Sequence, residues 1–190
     1  MASALVKNPE INPEHACFRM EIRASKIDRR GVYALERIPP RRKVIEYTGE
    51  RISRRETARR GLGSITYLFT LDNYWTIDGA FGGSGAEIIN HSCDPNLYTS
   101  IQGGHILYIS RRPIQPGEEL TVDYRFSEKI DRIKCRCGSP NCRGVINWIE
   151  KKPKEKRAPV AKSTGRKSAA KTASKRTAKT AVKRVSKKSR

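Results

Sequence analysis

Nowhere in these 190 residues does an apolar run approach the ~20 residues that a membrane-spanning helix needs, which excludes an integral membrane protein of the helical kind. The opening stretch, MASALVKNPEINPEH, has neither a basic start leading into a long apolar run nor a small-residue cleavage site. The expectation is therefore an intracellular chain that is not secreted. Acidic residues are scarce: 19 Asp and Glu face 40 Lys and Arg, for a net charge of +21. The shortage is local. Residues 151–190 hold one acidic residue, Glu155, against 17 basic ones, and contain no Phe, Trp, Tyr, Leu, Ile, Met or Cys. A segment without those side chains cannot bury enough apolar surface to offset the entropy of ordering it, so a disordered Lys/Ala-rich basic tail is expected there. The other 150 residues carry only +5 and are long enough to bury a core. Cysteine is sparse and odd in number, five in all, yet Cys135, Cys137 and Cys142 fall within eight residues. In a reducing compartment that clustering favours metal over disulfides.

Helical periodicity is also rare. After a lead-in over 1–16, the text becomes β-like: FRMEIRAS alternates in polarity, and GVYAL and KVIEY are rich in β-branched and aromatic residues. One helix is signalled over 53–60, where Ser53 and Glu56 have capping-box spacing and Gly61 can end it. YLFTLDNYWTIDG predicts a hairpin around Asp72-Asn73, LYTSIQGGHILYIS a second one at Gly103-Gly104, and Glu119 to Tyr124 a further strand. Four glycines between Gly79 and Gly85 mark a loop that turns sharply or brings backbone close to something. The pattern predicts a mainly β, α+β domain with short helices. The tail repeats itself, AKTASKRT at 170–177 and AKTAVKRV at 178–185, and its Ala/Lys composition resembles linker-histone tails and the histone-like arms of some bacterial proteins.

Three segments point to chemistry: Asn90-His91-Ser92-Cys93-Asp94-Pro95-Asn96; Gly117-Glu118-Glu119-Leu120-Thr121-Val122-Asp123-Tyr124; and Cys135-Arg136-Cys137-Gly138-Ser139-Pro140-Asn141-Cys142. In this order and spacing, together with Glu46-Tyr47-Thr48-Gly49-Glu50, they resemble the SET-domain protein lysine methyltransferases over roughly residues 17–148. The resemblance implies a SET-type fold of several small sheets, with a catalytic domain over 17–126, a zinc-binding post-SET segment over 127–150 and the tail over 151–190. It also implies S-adenosyl-L-methionine as methyl donor. Tyr124 becomes the tyrosine closest to the chemistry, Tyr47 lines the same site and the cofactor, and Asn90 and His91 hold the cofactor by backbone and amide hydrogen bonds. Taken alone, each tyrosine reads as a half-buried strand aromatic, and it is the flanking motifs that reverse this reading. At the cofactor's other end the family's G-x-G keeps only Gly31, leaving backbone contacts from Arg30, Gly31 and Val32. Where a basic or aromatic residue commonly stands, this sequence has Glu87. Trp148 either stacks on the adenine or caps the edge of the core. Relatives carry an aromatic two positions before the DY tyrosine that limits the room around the lysine nitrogen. Val122 stands there, leaving room for di- or trimethylation unless Tyr98 or Tyr67 fills the gap.

The cysteines make a metal argument of their own. Cys135, Cys137 and Cys142 supply three thiolates, tetrahedral Zn²⁺ takes four ligands, and Cys93 is the available fourth. Four thiolates close the metal to water, which disfavours a zinc hydrolase; free buried thiols or a disulfide are the alternatives. Cys17 reads as a small core residue, and His15 and His105 as surface or satisfied histidines. The expected function is methyl transfer to a lysine of a histone or histone-like protein. The tail would bind DNA without sequence preference, through phosphate neutralisation, at chromatin or a bacterial nucleoid. The competing reading is an inactive SET-like, nucleic-acid-binding structural protein. Thr164-Gly165-Arg166-Lys167-Ser168 resembles Arg-Lys-Ser contexts in histone tails, making Lys167 a candidate for self-methylation ahead of Lys162 and Lys171.

Overall fold

The computed structural model describes residues 8–63, 65–128 and 130–149. Among the described residues ten short strands, one α-helix and one 3-10 turn follow one another: β1 (Met20–Ala24), β2 (Arg30–Ala34), β3 (Lys43–Tyr47), β4 (Glu50–Ser53), α1 (Arg54–Arg60), β5 (Leu68–Thr70), β6 (Trp75–Asp78), the 3-10 turn (Ala86–Ile88), β7 (Asn90–His91), β8 (Leu97–Gln102), β9 (His105–Ser110) and β10 (Thr121–Val122). They form four small sheets, ordered β1-β2, β10-β7, β3-β9-β8 and β4-β6-β5. The architecture is mainly β, as the alternation in the sequence predicts. No helix among the described residues is long and apolar enough to cross a membrane.

The predicted turns and the helix cap are present, although the Glu56 carboxylate is taken by Arg59 and Arg60 and does not complete the capping box. Ser53 caps α1 by accepting a hydrogen bond from the Glu56 N–H at 3.3 Å, and Gly61 closes the helix in a right-handed conformation. At the β5–β6 turn Asp72 Oδ1 accepts the N–H groups of Tyr74 (2.7 Å) and Trp75 (2.8 Å), the local bonding that makes Asp a turn residue. Gly103 and Gly104 both have positive φ, 56° and 85°, which the tight two-residue turn between β8 and β9 requires. Arg60 then ties α1 to its sheet, its guanidinium meeting Glu50 Oε2 at 2.8 Å and the buried Asp78 Oδ2 at 2.7 Å.

Two expectations fail. The strand predicted from Glu119 to Tyr124 shrinks to Thr121–Val122, because the segment divides itself between partners. The Leu120 N–H donates to Val32 O (2.8 Å) and Glu119 bridges Tyr33, whereas Thr121 and Val122 run parallel to Asn90 and His91. Cys17 is exposed rather than in the core. Its N–H bonds to Val44 O, and the neighbouring Ala16, bridged to Ile45, takes the half-buried position instead.

The core that carries the site is aliphatic, with Val32, Ile38, Val44, Ile45, Leu97, Ile114 and Leu120 all at 0% exposure. Burying each such side chain stabilises the fold by roughly 1.5–3 kcal/mol. The effect is to fix β2, β3 and the segment 118–124 against one another.

Candidate functional site

Asn90 organises one end of the site. Its amide nitrogen donates to Arg30 O and Glu119 Oε1, both at 2.9 Å, with Ser25 Oγ at 3.1 Å and Asp28 O at 3.3 Å close by. Glu119 also accepts from Ser25 Oγ (2.8 Å) and the Tyr33 hydroxyl (3.0 Å). This clasp explains Gly31: a Cβ there would lie 2.2 Å from Glu119 Oε1 and 3.2 Å from Asn90 Nδ2. Arg30, Gly31, Val32 and Asn90 are thus brought together, as expected, though the Arg30 and Val32 carbonyls already serve Asn90 and Leu120. Ser25 and Glu119 were not foreseen; a serine in a turn and the second of two adjacent glutamates carry no distinguishing sequence signal.

The Tyr124 phenol feels the charges of Asp28 and Glu119 at this clasp, and the Tyr47 phenol in turn feels Tyr124, which sets the aromatic residues of the site beside it. Tyr47 on β3 packs against Phe69 on β5 (ring centroids 5.3 Å) and Tyr108 on β9 (6.2 Å), and Phe69 and Tyr108 are 6.3 Å apart. Tyr124 packs between His91 and Phe126, 5.4 Å from each. The Tyr124 hydroxyl donates to Ile89 O at 2.9 Å and that of Tyr47 to Tyr67 O at 2.5 Å. Burial, reinforced by their neighbours, holds the phenols of Tyr47, Tyr108 and Tyr124 far above their ordinary range. All three are neutral hydroxyls at physiological pH, able to orient a polar group without adding charge. Tyr98, offered by the sequence as a possible gap filler, is 40% exposed, whereas Tyr67 is half-buried against the core.

His91 links the aromatic site to the cysteines. Its Nδ1 accepts the Tyr124 N–H at 3.2 Å, which leaves Nε2 to carry the proton and face Cys93 Sγ at 3.5 Å. Burial, only partly offset by Asp123, lowers its pKa to about 4, so the 3.5 Å approach of Nδ1 to Asp123 is not an ion pair at neutral pH. Asp123 instead pairs with Arg143 through two bonds of 2.9 and 2.7 Å, fastening residues 123–124 to the C-terminal segment.

The four predicted ligands converge. The Sγ atoms of Cys93, Cys135, Cys137 and Cys142 all lie within 4.8 Å of one another, with Cys93 at 3.7 Å from Cys135 and 3.9 Å from Cys142. A tetrahedron with metal–sulfur bonds of about 2.3 Å has edges of about 3.8 Å, so the donor set fits a tetrahedral thiolate metal site. Burial opposes ionisation of Cys137, but the N–H groups of Cys93 and Ser139 and the neighbouring thiols outweigh it and bring that thiol down to about 6.

The remaining expectations divide. Trp148 is 42% exposed and borders a groove of about 410 Å³ with Arg125, Ser127 and Glu128. The Arg125 guanidinium lies 4.6 Å from its ring centroid, so the indole is not a buried cap on the core. Glu87 is buried beneath the glycine loop, where its Oε2 accepts the Gly85 N–H at 2.8 Å. Burial raises its pKa against the pull of the Gly85 and its own N–H groups. A Cβ on Gly83 would lie 2.4 Å from Gly79 O and 2.6 Å from the Glu87 carboxylate carbon, so the loop turns back closely on its own backbone and on Glu87. His105 is exposed and within 2.6 Å of Glu46, a satisfied surface histidine. Lys167, Lys162, Lys171 and the whole basic tail lie outside the described residues.

Comparison with known proteins agrees with this arrangement. The SET domain family model matches residues 29–125, about half of the chain. Histone-lysine N-methyltransferase set-2 of Caenorhabditis elegans is 43% identical over 134 residues, covering 65% of this chain and 9% of the relative. An H3 lysine-4 specific histone-lysine N-methyltransferase of Schizosaccharomyces pombe is 41% identical, covering 65% of this chain and 14% of its own. Histone-lysine N-methyltransferase trithorax of Drosophila virilis is 38% identical over 65% of this chain and 3% of the relative. The chain therefore spans about a tenth of the length of such relatives.

Proposed function

The chain belongs to the SET-domain family, and from that premise we propose that it is an S-adenosyl-L-methionine-dependent protein lysine N-methyltransferase acting on a histone or histone-like, DNA-associated protein. The observation that carries the reading is the convergence of the neutral Tyr47 and Tyr124 hydroxyls with the Asn90–Gly31 clasp. S-adenosylmethionine supplies a methyl carbon on a positively charged sulfur. The protein's task is to hold a neutral lysine amine in line with that carbon and to exclude water. Hydroxyls and carbonyls suit this task because they orient the amine without a charge, while burial lowers the lysine pKa from ~10.4 towards neutrality. In this reading Arg30, Gly31, Val32, Tyr47, Asn90, His91 and Trp148 line the cofactor, and Tyr124 and Tyr47 orient the amine.

The cysteine set supports Zn²⁺ held by Cys93, Cys135, Cys137 and Cys142 as a structural clamp, since four thiolates leave no open position. Through His91 and the Asp123–Arg143 pair the clamp would hold residues 130–149 over the site. The names of the relatives support a histone tail as substrate and a location at chromatin. The tail's composition supports DNA as partner, bound without sequence readout. An inactive structural protein is not favoured, because such a protein would have no need of neutral hydroxyls gathered beside the clasp.

Incubation with labelled S-adenosylmethionine and a mixed basic-protein extract, followed by mass spectrometry, tests the reading; label on lysine is expected, and its absence contradicts it. With the cofactor alone, intact mass should rise in steps of about 14 Da if the tail is also a substrate, with Lys167 the first site. No shift in an enzyme active on another protein would remove self-methylation.

A further inference from the structure

Three places before Asn90, where the resemblance calls for a basic or aromatic residue, this chain carries Glu87, and the side chain is only 9% exposed. Its partners among the described residues are backbone N–H groups, that of Gly85 at 2.8 Å and its own; no Lys, Arg or His pairs with it. It is thus a buried carboxylate without a counter-charge, although residues 1–150 carry a net +5. A cation brought to it would relieve the cost of burying its charge. Glu87 lines a groove of about 460 Å³ between the lead-in around Glu10 and the glycine loop. The walls are fixed to each other: the Asn12 N–H donates to Ser84 O at 2.9 Å, and a Cβ on Gly85 would lie 2.7 Å from Ile11 Cδ1. At Gly83 a Cβ would lie 2.4 Å from Gly79 O and 2.6 Å from Glu87 Oε2. The bare glycine therefore leaves a carbonyl and a carboxylate oxygen side by side, and the exposed Glu10 adds a second negative charge to the groove. The groove adjoins the aromatic site, since a Cβ on Gly79 would lie 2.8 Å from both Glu87 Cβ and the Tyr47 hydroxyl. The phenols of Tyr47 and Tyr108 feel the charge of Glu87.

We propose that this groove binds the guanidinium of a substrate arginine close in sequence to the target lysine, with Glu87 and the Gly79 carbonyl as its acceptors, and so selects which lysine is methylated. The inference rests on the methyltransferase reading and deepens it. Arginine suits the groove because its planar fork of N–H donors can span two adjacent acceptors. A lysine ammonium is a more strongly hydrated point charge and gains less from the pair. An apolar side chain would leave the carboxylate without a counter-charge, and an acidic one would be repelled by Glu87 and Glu10. An extended peptide advances about 3.3 Å per residue, and Gly79 touches both the groove and the Tyr47 hydroxyl, so an arginine within about three residues of the lysine reaches Glu87. A basic residue at position 87, as the resemblance calls for, would repel the same guanidinium. Selectivity at this groove is therefore a property of this chain's own residue.

The test uses the full chain, S-adenosylmethionine and lysine peptides with neutral flanks. A single arginine, or its uncharged isostere citrulline, is moved through about three positions on either side of the lysine. Wild type should favour arginine over citrulline at one of these positions by about tenfold or more in kcat/KM, and lysine placed there should serve less well than arginine. Glu87→Gln keeps the volume and removes the charge, and should bring the arginine-to-citrulline ratio to within about twofold of unity. A merely structural role would lower turnover on both peptides and leave the ratio alone. Gly83→Ala sets a methyl group against the carboxylate and should narrow the ratio by a second route, should Glu87→Gln fail to fold. Calorimetry on the same peptides, with norleucine in place of the target lysine, reads the preference without turnover. No preference for arginine in wild type, or an undiminished ratio in folded variants, overturns this inference alone. No transfer by wild type to these peptides or to a basic-protein extract overturns the methyltransferase reading, and the calorimetric ratio then still decides whether the groove takes arginine.

Discussion

Gly31 is where one added methyl group would do most damage. A Cβ 2.2 Å from Glu119 Oε1 must displace that carboxylate, which releases the amide of Asn90. Gly31→Ala is expected to weaken S-adenosylmethionine binding about tenfold or more while leaving the β content intact, as calorimetry beside circular dichroism would register. Glu118 gives a prediction in pH. Burial pushes its carboxyl up, but Arg112, Asn96 and the Gln115 N–H outweigh burial and hold it below the usual carboxylate range. Its folded pKa lies below the unfolded value of about 4.3, so its contribution is complete above that pH and is lost as pH falls through the folded value. Urea midpoints measured from about pH 5 to about pH 3 should fall less steeply in Glu118→Gln than in wild type; equal slopes would remove the effect. Residues with motif neighbours, such as Asn90, Tyr124 and the four cysteines, were legible in the sequence. Glu119 and Ser25 were not, because their roles depend on contacts across sequence separations of 94 and 65 that no local pattern encodes.

At the scale of elements, hairpins and caps were legible because their causes are local: Asp72 bonds its own turn, Gly103 and Gly104 supply positive φ, and Ser53 serves Glu56. The segment after Gly117 was not, because its pairing is shared between β2 and β7 and neither partner is adjacent in the chain. The C-terminal segment depends on the cysteines more than on a core, since Ile130, Ile133, Trp148 and Ile149 all remain at least 41% exposed. Structural zinc contributes folding energy directly, so if the four thiolates hold it, its loss should be felt there first. Cys93→Ser is expected to release zinc and open the chain after Lys134 to protease, while residues up to about 120 stay protected. Metal analysis finding no zinc in the purified wild type would defeat the assignment whatever the variant does.

For the whole molecule, the division of charge implies a division of labour. Deleting residues 151–190 removes +16 and no residue of the described core, so the remainder should fold and methylate a free peptide but lose most affinity for DNA. If roughly eight phosphates are neutralised, log K for the full chain should fall against log salt with a slope near −7, whatever the base sequence. Salt-insensitive DNA binding by the truncated protein would contradict this. The central claim, that neutral tyrosines position a lysine for methyl transfer, is tested most directly by comparing wild type with Tyr124→Phe in two assays on the same preparations, S-adenosylmethionine binding and single-turnover methyl transfer to a basic peptide. The positioning role predicts binding within a factor of about two and transfer slowed by about 10² or more, because the substitution removes an orienting hydroxyl and almost no volume. Transfer at the wild-type rate by a folded variant would contradict it.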